Sequence, residues 1–261
     1  MRKVLRAVRS LVFSIISIAG MLAHAAAPLR IMCLGDSITA GYTDNPDWRV
    51  PFEFGYRSGL YRQLTEAGYV FQFVGASAEP WNGVFGTPRN SPVLDLRTLN
   101  QDHHRGYGGW GTKQLSTHVR AWLAVDKPDV VLLMAGINDK GNVAARKNIK
   151  KIIETIVTAS PTADVIVAQL TPMAEFSQDI VDFNLFIRTT LVPSFQRRGK
   201  RVTTVDQYAN LMTDRAIDLS RYSNGINHPN ALTYERIAQT WFDGIALVRP
   251  LDPPKSMKVN R

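Results

Sequence analysis

The chain has 261 residues, a single cysteine and a formal net charge of +9. Four basic residues and no acidic ones lie in the first 25, so the remainder carries a formal charge of +5. One cysteine excludes an internal disulfide framework, and basic residues without interleaved aromatic residues argue against nucleic-acid binding. Stability must therefore come from a hydrophobic core, which the remaining length of about 235 residues can build in one domain.

The N-terminal segment has the pattern of a secretory signal peptide. A basic start is followed by an apolar stretch over 11–22 and by the small-residue site Ala23-His24-Ala25. A membrane anchor would need about 20 uninterrupted apolar residues, and this stretch is shorter and broken by Ser14 and Ser17. We therefore expect residues 1–25 to be removed, with cleavage after Ala25 or Ala27. This predicts a periplasmic or extracellular protein without stable membrane association.

The rest of the chain alternates between strand and helix patterns. Apolar runs predict strands over 29–34, 69–74, 130–135, 164–170 and 201–205. Helical spacing predicts helices over 56–67, 112–125, 149–157, 177–198 and 229–247, with an irregularity at Pro193 and a long loop over 77–105. This alternation is typical of an α/β fold with helices on both faces of a parallel sheet. We predict one domain over 26–248 and a loose tail over 249–261.

The stretch LRIMCLGDSITAG, residues 29–41, carries the first candidate site residue. Gly35 ends the strand, so Ser37 stands just beyond its carboxyl end, where open α/β sheets bind their ligands. A plainer interpretation is a helix cap, in which Asp36 or Ser37 accepts hydrogen bonds from free backbone N–H groups. Later motifs are needed to decide between these interpretations.

Three such motifs follow: RGYGGWGT over 105–112, GIND over 136–139 and NGINHPN over 224–230. If the five strands have the flavodoxin-like order 2-1-3-4-5, the first and third strands are neighbours. Ser37 and Asn138 would then lie at one crevice. The loops that hold Gly109 and His228 would open on the same edge of the sheet.

These residue types match the requirements of acyl transfer, which needs a nucleophile, a base and donors for the negative oxygen of the tetrahedral intermediate. Ser37 is the candidate nucleophile and His228 the candidate base. The oxyanion hole would consist of the backbone N–H groups of Ser37 and Gly109 and the side-chain amide of Asn138. Glycine suits this position because a backbone without Cβ can approach the substrate closely.

The four motifs, in this order, resemble the SGNH (GDSL-type) hydrolases, and the match runs from Leu29 to about Leu247. The segment around Tyr56-Arg57 and the stretch 105–115 are most similar to the acetylxylan-esterase-like carbohydrate esterases of that superfamily. The resemblance implies a three-layer α/β/α fold with a five-stranded parallel sheet. It also implies a secreted esterase that removes acetyl groups from polysaccharide, or acts on another small acyl ester, without metal or organic cofactor.

The chain departs from the family pattern at one position. Members usually carry Asp three residues before the histidine, where this chain has Gly225. Asn224 could take the place of the aspartate and orient His228 through its amide oxygen. Alternatively, a main-chain carbonyl could orient the imidazole, or a distant carboxylate, Asp214 or Asp218, could reach it.

Three further residues are candidates for substrate contact: Asp36, Trp110 and His104. Each has a plainer alternative, which is fixing a turn for Asp36, packing for Trp110 and solvated surface for His104. Two other functions also remain open. The same constellation suits a lipase, lysophospholipase or thioesterase, and the missing aspartate would suit a non-catalytic glycan-binding homologue.

Overall fold

The computed structural model describes residues 27–43, 54–79, 96–223 and 226–251. The predicted signal peptide and all but the first three residues of the predicted tail lie outside these ranges. Within the part of the chain that is described, no helix combines the length and the apolar character that crossing a membrane requires.

The centre of the fold is a parallel β-sheet. Its strands are β1 (Leu29–Gly35), β2 (Phe71–Val74), β3 (Arg105–Gly106), β4 (Val130–Met134), β5 (Asp164–Gln169) and β6 (Val202–Asp206). The longer strands have the order β2-β1-β4-β5-β6. This is the predicted flavodoxin-like order, because β4, β5 and β6 are the third, fourth and fifth predicted strands. The prediction of an α/β fold with this topology is therefore confirmed.

The two-residue strand β3 was not predicted. It pairs with β1 at Leu34 and Gly35, beyond the segment of β1 that pairs with β2. Two residues are too short to show an alternating pattern, and they lie at the end of a stretch that reads as loop. This pairing has a consequence for the site, because it brings the turn that contains Gly109 beside the end of β1.

Helices flank the sheet. They are α1 (Ser37–Ala40), α2 (Tyr56–Glu66), α3 (Thr112–Asp126), α4 (Val143–Ala159), α5 (Gln178–Phe186), α6 (Val192–Gln196) and α7 (Ala231–Val248). Helix α2 packs against α7, and α3 packs against α4. The last helix begins two residues later than predicted, because the Asn230 side chain caps it by accepting a hydrogen bond from Thr233 N–H.

The predicted helix over 177–198 is not continuous. Helix α5 ends at Phe186, a π-helical turn covers Ile187–Leu191, and α6 follows. Pro193 has no amide hydrogen and its ring crowds the preceding turn, so a regular helix cannot run through this position. The predicted irregularity is therefore present, in the form of a widened turn just before the proline.

The core is formed mainly by the central strands and the inner faces of the helices. Every residue of β4 and β5 is buried, including the polar end residues of β5, Asp164 and Gln169. Cys33, the only cysteine, lies within β1 with no exposed surface. Burial raises the pKa of its thiol to about 11, so it is protonated and unreactive at neutral pH.

Candidate active site

Ser37 is held at the junction of β1 and α1. Asp36, just before it, has extended backbone geometry, and its Oδ1 accepts a hydrogen bond of 3.1 Å from Ile38 N–H. Gly35 is required here because a Cβ at this position would overlap the Met134 carbonyl oxygen and Thr39 Oγ1. The sequence Gly-Asp-Ser thus lets β1 end close to β4 and starts a short helix with Ser37 as its first residue.

His228 reaches Ser37 from the segment between β6 and α7. Its Nε2 lies 2.8 Å from Ser37 Oγ, although the two residues are 191 positions apart in the chain. The backbone at His228 is fixed by Ser223, whose N–H and hydroxyl both donate to the His228 carbonyl oxygen, at 3.0 and 3.2 Å. The distance between Nε2 and Oγ suits direct transfer of the hydroxyl proton to the imidazole.

Gly109 and Asn138 also lie next to each other. Gly109 has φ of +72°, which favours glycine, and a Cβ added there would meet no atom within 4 Å. Asn138 follows β4, and its Nδ2 donates a 2.9 Å hydrogen bond to the carbonyl oxygen of Trp110. This bond occupies one of the two amide hydrogens and leaves the other for a ligand. The turn with Gly109 and the loop with Asn138 are thereby joined directly.

An aromatic cluster supports the turn that carries Gly109. Trp110 stacks on Tyr107 with ring centroids 4.4 Å apart, and Tyr107 stacks on Trp122 at 5.2 Å. Behind them, Arg105 forms a bidentate ion pair with Asp126, with distances of 2.6 and 3.0 Å. The structure therefore gives Trp110 the packing role that was the alternative to substrate contact, although its ring is only partly buried.

Glu79 is a site residue that the sequence interpretation missed. Its Oε2 accepts hydrogen bonds from the Tyr42 hydroxyl, at 2.9 Å, and from the backbone N–H of Gly108. The Tyr42 ring lies 5.9 Å from the His228 ring. Burial, reinforced by the Glu79 carboxylate, raises the pKa of the Tyr42 phenol, so this group stays protonated and donates. Glu79 thus fixes the residue before Gly109.

Arg57 fixes the other end of the helix that begins with Ser37. Its guanidinium is completely buried and donates from Nε to the Thr39 carbonyl oxygen and from Nη2 to that of Ala40, at 3.2 and 3.0 Å. A third bond, 2.7 Å from Nη1, reaches the Asp102 carbonyl oxygen. These contacts satisfy the last carbonyl groups of α1, which lack partners within so short a helix.

Asp36 and His104 are buried within the protein, which does not fit the substrate contact predicted for them. Asp36 has no exposed surface, and burial raises the pKa of its carboxyl to about 7, against the opposing effects of the Ile38 hydrogen bond and His228. His104 is 1% exposed, and its two ring nitrogens bond to Gly106 N–H and the Glu79 carbonyl oxygen. Burial holds the pKa of His104 well below its usual value. Both residues are structural, and the expectation of substrate contact is corrected.

Asn224 and Asp218 are two of the residues predicted to orient His228. Asn224 and Gly225 lie outside the described residues, so the role expected for Asn224 stays a prediction. Asp218 bonds to the Ser220 hydroxyl at 2.6 Å and forms a 2.9 Å ion pair with Arg221. Its carboxylate is therefore engaged within its own turn.

No group of three or more His, Cys, Asp and Glu side chains is placed to hold a metal ion within the described ranges. The groups gathered at the carboxyl ends of β1 and β4 are instead a hydroxyl, an imidazole, a carboxamide and a turn with an accessible backbone. Together they can bind an acyl group and receive the negative charge of a tetrahedral intermediate.

Solved structures similar to this chain include carbohydrate esterases. The Clostridium thermocellum family 3 carbohydrate esterase is 28% identical, with a TM-score of 0.64, covering 85% of this chain and 98% of its own. A family 3 carbohydrate esterase from Talaromyces cellulolyticus is 20% identical, with a TM-score of 0.61, covering 86% of this chain and all of its own. At that lower identity the likeness shows the fold alone.

The relatives found by sequence also include an esterase. A multidomain esterase of Ruminococcus flavefaciens is 26% identical over 260 residues, which is 89% of this chain but 30% of the relative. The chain thus spans about a third of that protein's length. The model of the GDSL-like lipase/acylhydrolase family matches residues 33–236 and includes Ser37, Gly109, Asn138 and His228. With this match over most of its length and with the geometry described above, the chain belongs to the GDSL-like lipase/acylhydrolase family.

Proposed function

We propose that this protein is a serine esterase that removes short acyl groups, acetyl foremost, from polysaccharide. The observation that carries the proposal is the 2.8 Å contact between His228 Nε2 and Ser37 Oγ beside Gly109 and Asn138. Likeness to a family 3 carbohydrate esterase at 28% identity supports a sugar substrate. The predicted signal peptide supports a site of action outside the cytoplasm.

The proposed reaction follows from this geometry. Ser37 Oγ attacks the carbonyl carbon of the ester while His228 Nε2 takes its proton. The oxygen that becomes negative accepts hydrogen bonds from the N–H groups of Ser37 and Gly109 and from the free amide hydrogen of Asn138. When the bond from the carbonyl carbon to the sugar oxygen breaks, His228 gives its proton to that oxygen, and the sugar leaves with a free hydroxyl group. In the second half, His228 activates a water molecule that releases the acyl group from Ser37.

The test is hydrolysis of 4-nitrophenyl esters by the purified mature protein. We expect the acetyl ester to be cleaved, and Ser37→Ala and His228→Ala to lower kcat by roughly 10⁴-fold or more. His103→Ala is a matched control, because this histidine bonds to Asn100 and contacts neither Ser37 nor His228. Activity that survives in Ser37→Ala would refute the assignment of the nucleophile.

A second candidate is hydrolysis of longer acyl chains, as in a lipase or thioesterase. Two exposed apolar side chains favour it: Ile226, two residues before His228, and Phe176, each 62% exposed. Their segments are joined by a hydrogen bond from Ala174 N–H to the Ile226 carbonyl oxygen. The chain-length series decides between the two, because acetyl esters cleaved faster than octanoyl esters support the sugar esterase and the reverse order supports this candidate.

A third candidate, a glycan-binding protein without turnover, is tested by the same preparation. It would bind oligosaccharide but leave 4-nitrophenyl acetate intact.

Export is tested separately by determining the N-terminus of the mature protein. An N-terminus at Ala26 or Pro28 would support cleavage after Ala25 or Ala27, and retention of Met1 would contradict it.

A further inference from the structure

A second cavity lies at the same edge of the sheet as Ser37 but farther along it. It has a volume of about 240 Å³ and sits where β5 and β6 end, against one side of α5. Gln169 and Asp206, the last residues of those strands, are register partners and both line it. Because neighbouring strands lie about 4.8 Å apart, the cavity is roughly 10 to 14 Å from the end of β1.

A glutamine amide lines this cavity at the end of β5. Gln169 is 8% exposed and lines the cavity, its side-chain amide makes no hydrogen bond to a described residue, and its amide atoms are not among the fully buried polar atoms that lack a partner. The neighbouring Asn184, by contrast, bonds to both backbone groups of Leu170, at 2.6 and 2.9 Å. The amide of Gln169 is therefore available to a ligand.

The walls and rim of the cavity carry apolar surfaces and charged groups. Val181 and Leu185 of α5 give an apolar wall, and the Tyr208 ring is a second flat surface. Asp206 uses one carboxylate oxygen to hold the N–H groups of Tyr208 and Ala209, which leaves the other oxygen as an acceptor. Arg188 adds a guanidinium from the π-helical turn, a feature often found at functional positions.

We propose that this cavity, the β5–β6 pocket, binds one sugar ring of the glycan substrate, several units away from the ester that is cleaved. A sugar presents an apolar ring face and a rim of hydroxyl groups that both donate and accept. The ring face matches Leu185 and Tyr208, and the hydroxyls match Gln169 and Asp206. The volume lies below the range of about 300–1,000 Å³ typical of drug-sized ligands, so it suits a single ring.

The inference rests on the proposed function only in taking the ligand from the substrate. A polysaccharide can occupy both the β5–β6 pocket and the region of Ser37, whereas 4-nitrophenyl acetate reaches Ser37 alone. Changes in the pocket should therefore raise KM for acetylated polysaccharide and leave hydrolysis of 4-nitrophenyl acetate unchanged. Loss of the proposed esterase function would show in the small ester, so the two failures are distinguishable.

The direct test is calorimetric titration of the mature protein with xylotetraose, cellotetraose and a xylo-oligosaccharide that carries a glucuronic acid. Gln169→Leu removes the amide and keeps the side-chain size, and Tyr208→Ala removes a wall. Both should weaken binding at least tenfold. Gln239→Leu, on the exposed side of α7, is the matched control and should bind as the unchanged protein does.

The unfolding temperature without ligand is a second measurement. It distinguishes a ligand-binding role of Gln169 from a structural role. Without ligand, Gln169→Leu should unfold at nearly the same temperature, because no hydrogen bond to a described residue is lost. If Gln169 had a structural role, the same change would lower the unfolding temperature. The proposal is overturned if none of the three oligosaccharides binds at millimolar concentration, or if one binds equally well to Gln169→Leu. Arg188→Ala, an exposed position, repeats the test should Gln169→Leu not fold.

Discussion

Replacing Asp36 by Asn should stabilise the protein at alkaline pH and have a smaller effect at acidic pH. The carboxyl of Asp36 is fully buried, its Oδ1 caps α1, and its Oδ2 has no hydrogen-bond partner among the described residues. Burial raises the pKa of this group from 3.8 to about 7. Asn keeps the acceptor that caps the helix and cannot ionise, so it imitates the protonated acid at every pH.

Proton linkage gives the sign and the size of the change in the free energy of unfolding with pH. Between pH 3.8 and about 7, the folded protein holds a proton on Asp36 that the unfolded chain releases, so stability falls as pH rises. A shift of about three units corresponds to about 4 kcal/mol once the folded group is ionised. Roughly 2 to 3 kcal/mol of this is lost between pH 5 and pH 8.5, and little more is lost above that.

Urea unfolding of both proteins at pH 5, 7 and 8.5 measures this directly. The advantage of Asp36→Asn should grow by about 2 to 3 kcal/mol over that range, because all other titrating groups are common to both proteins. Asp243→Asn, at an exposed position on α7, is the control and should show no such growth. An advantage for Asp36→Asn that is equal at pH 5 and pH 8.5 would refute the reasoning.

Three further substitutions test the groups around Ser37. Asn138→Ala should lower kcat for 4-nitrophenyl acetate by about 10² to 10³-fold, with an almost unchanged melting temperature, because it removes one oxyanion donor from an exposed side chain. Asp126→Ala should cost about 3 to 5 kcal/mol in urea unfolding, because the Arg105 guanidinium, 9% exposed, loses its carboxylate. Arg57→Met should cost about 3 kcal/mol or more and lower kcat, because buried carbonyl groups lose their donors. An Arg57→Met protein with unchanged kcat would show that the end of α1 does not position Ser37.

Much of the fold could be predicted because its elements carry strong local patterns. The five isoleucine and valine residues on the inner side of α4 repeat at helical spacing, and all are buried. Strand β4 is apolar throughout and β5 is apolar between its two end residues, Asp164 and Gln169, as expected for central parallel strands. The features that were missed depend on tertiary contact. Strand β3 is defined only by its pairing with β1, and the exact form of the break before Pro193 depends on packing.

The candidate site also contains residues that short motifs predict and residues that only tertiary contacts reveal. Ser37 and Asn138 could be predicted because each lies in a short motif just beyond an apolar strand. Gly109 and His228 could be predicted because they lie in short motifs of the loops that open on the same edge of the sheet. Glu79 could not, because it lies in a loop without periodicity, and only the folded chain shows its carboxylate against Tyr42 and Gly108. The interpretations of Asp36 and His104 as substrate contacts were wrong for a related reason, since a motif shows which residues are near a site but not which of them are buried.

The helix that carries Ser37 depends on buried polar groups at both of its ends. Four residues are too few to satisfy their own terminal N–H and C=O groups, so α1 has no independent stability. Asp36 supplies the acceptor at its first turn, and Arg57 supplies donors at its last carbonyls. Because both side chains are fully buried, disturbing either should change kcat through the position of Ser37, and should leave KM for small esters nearly constant.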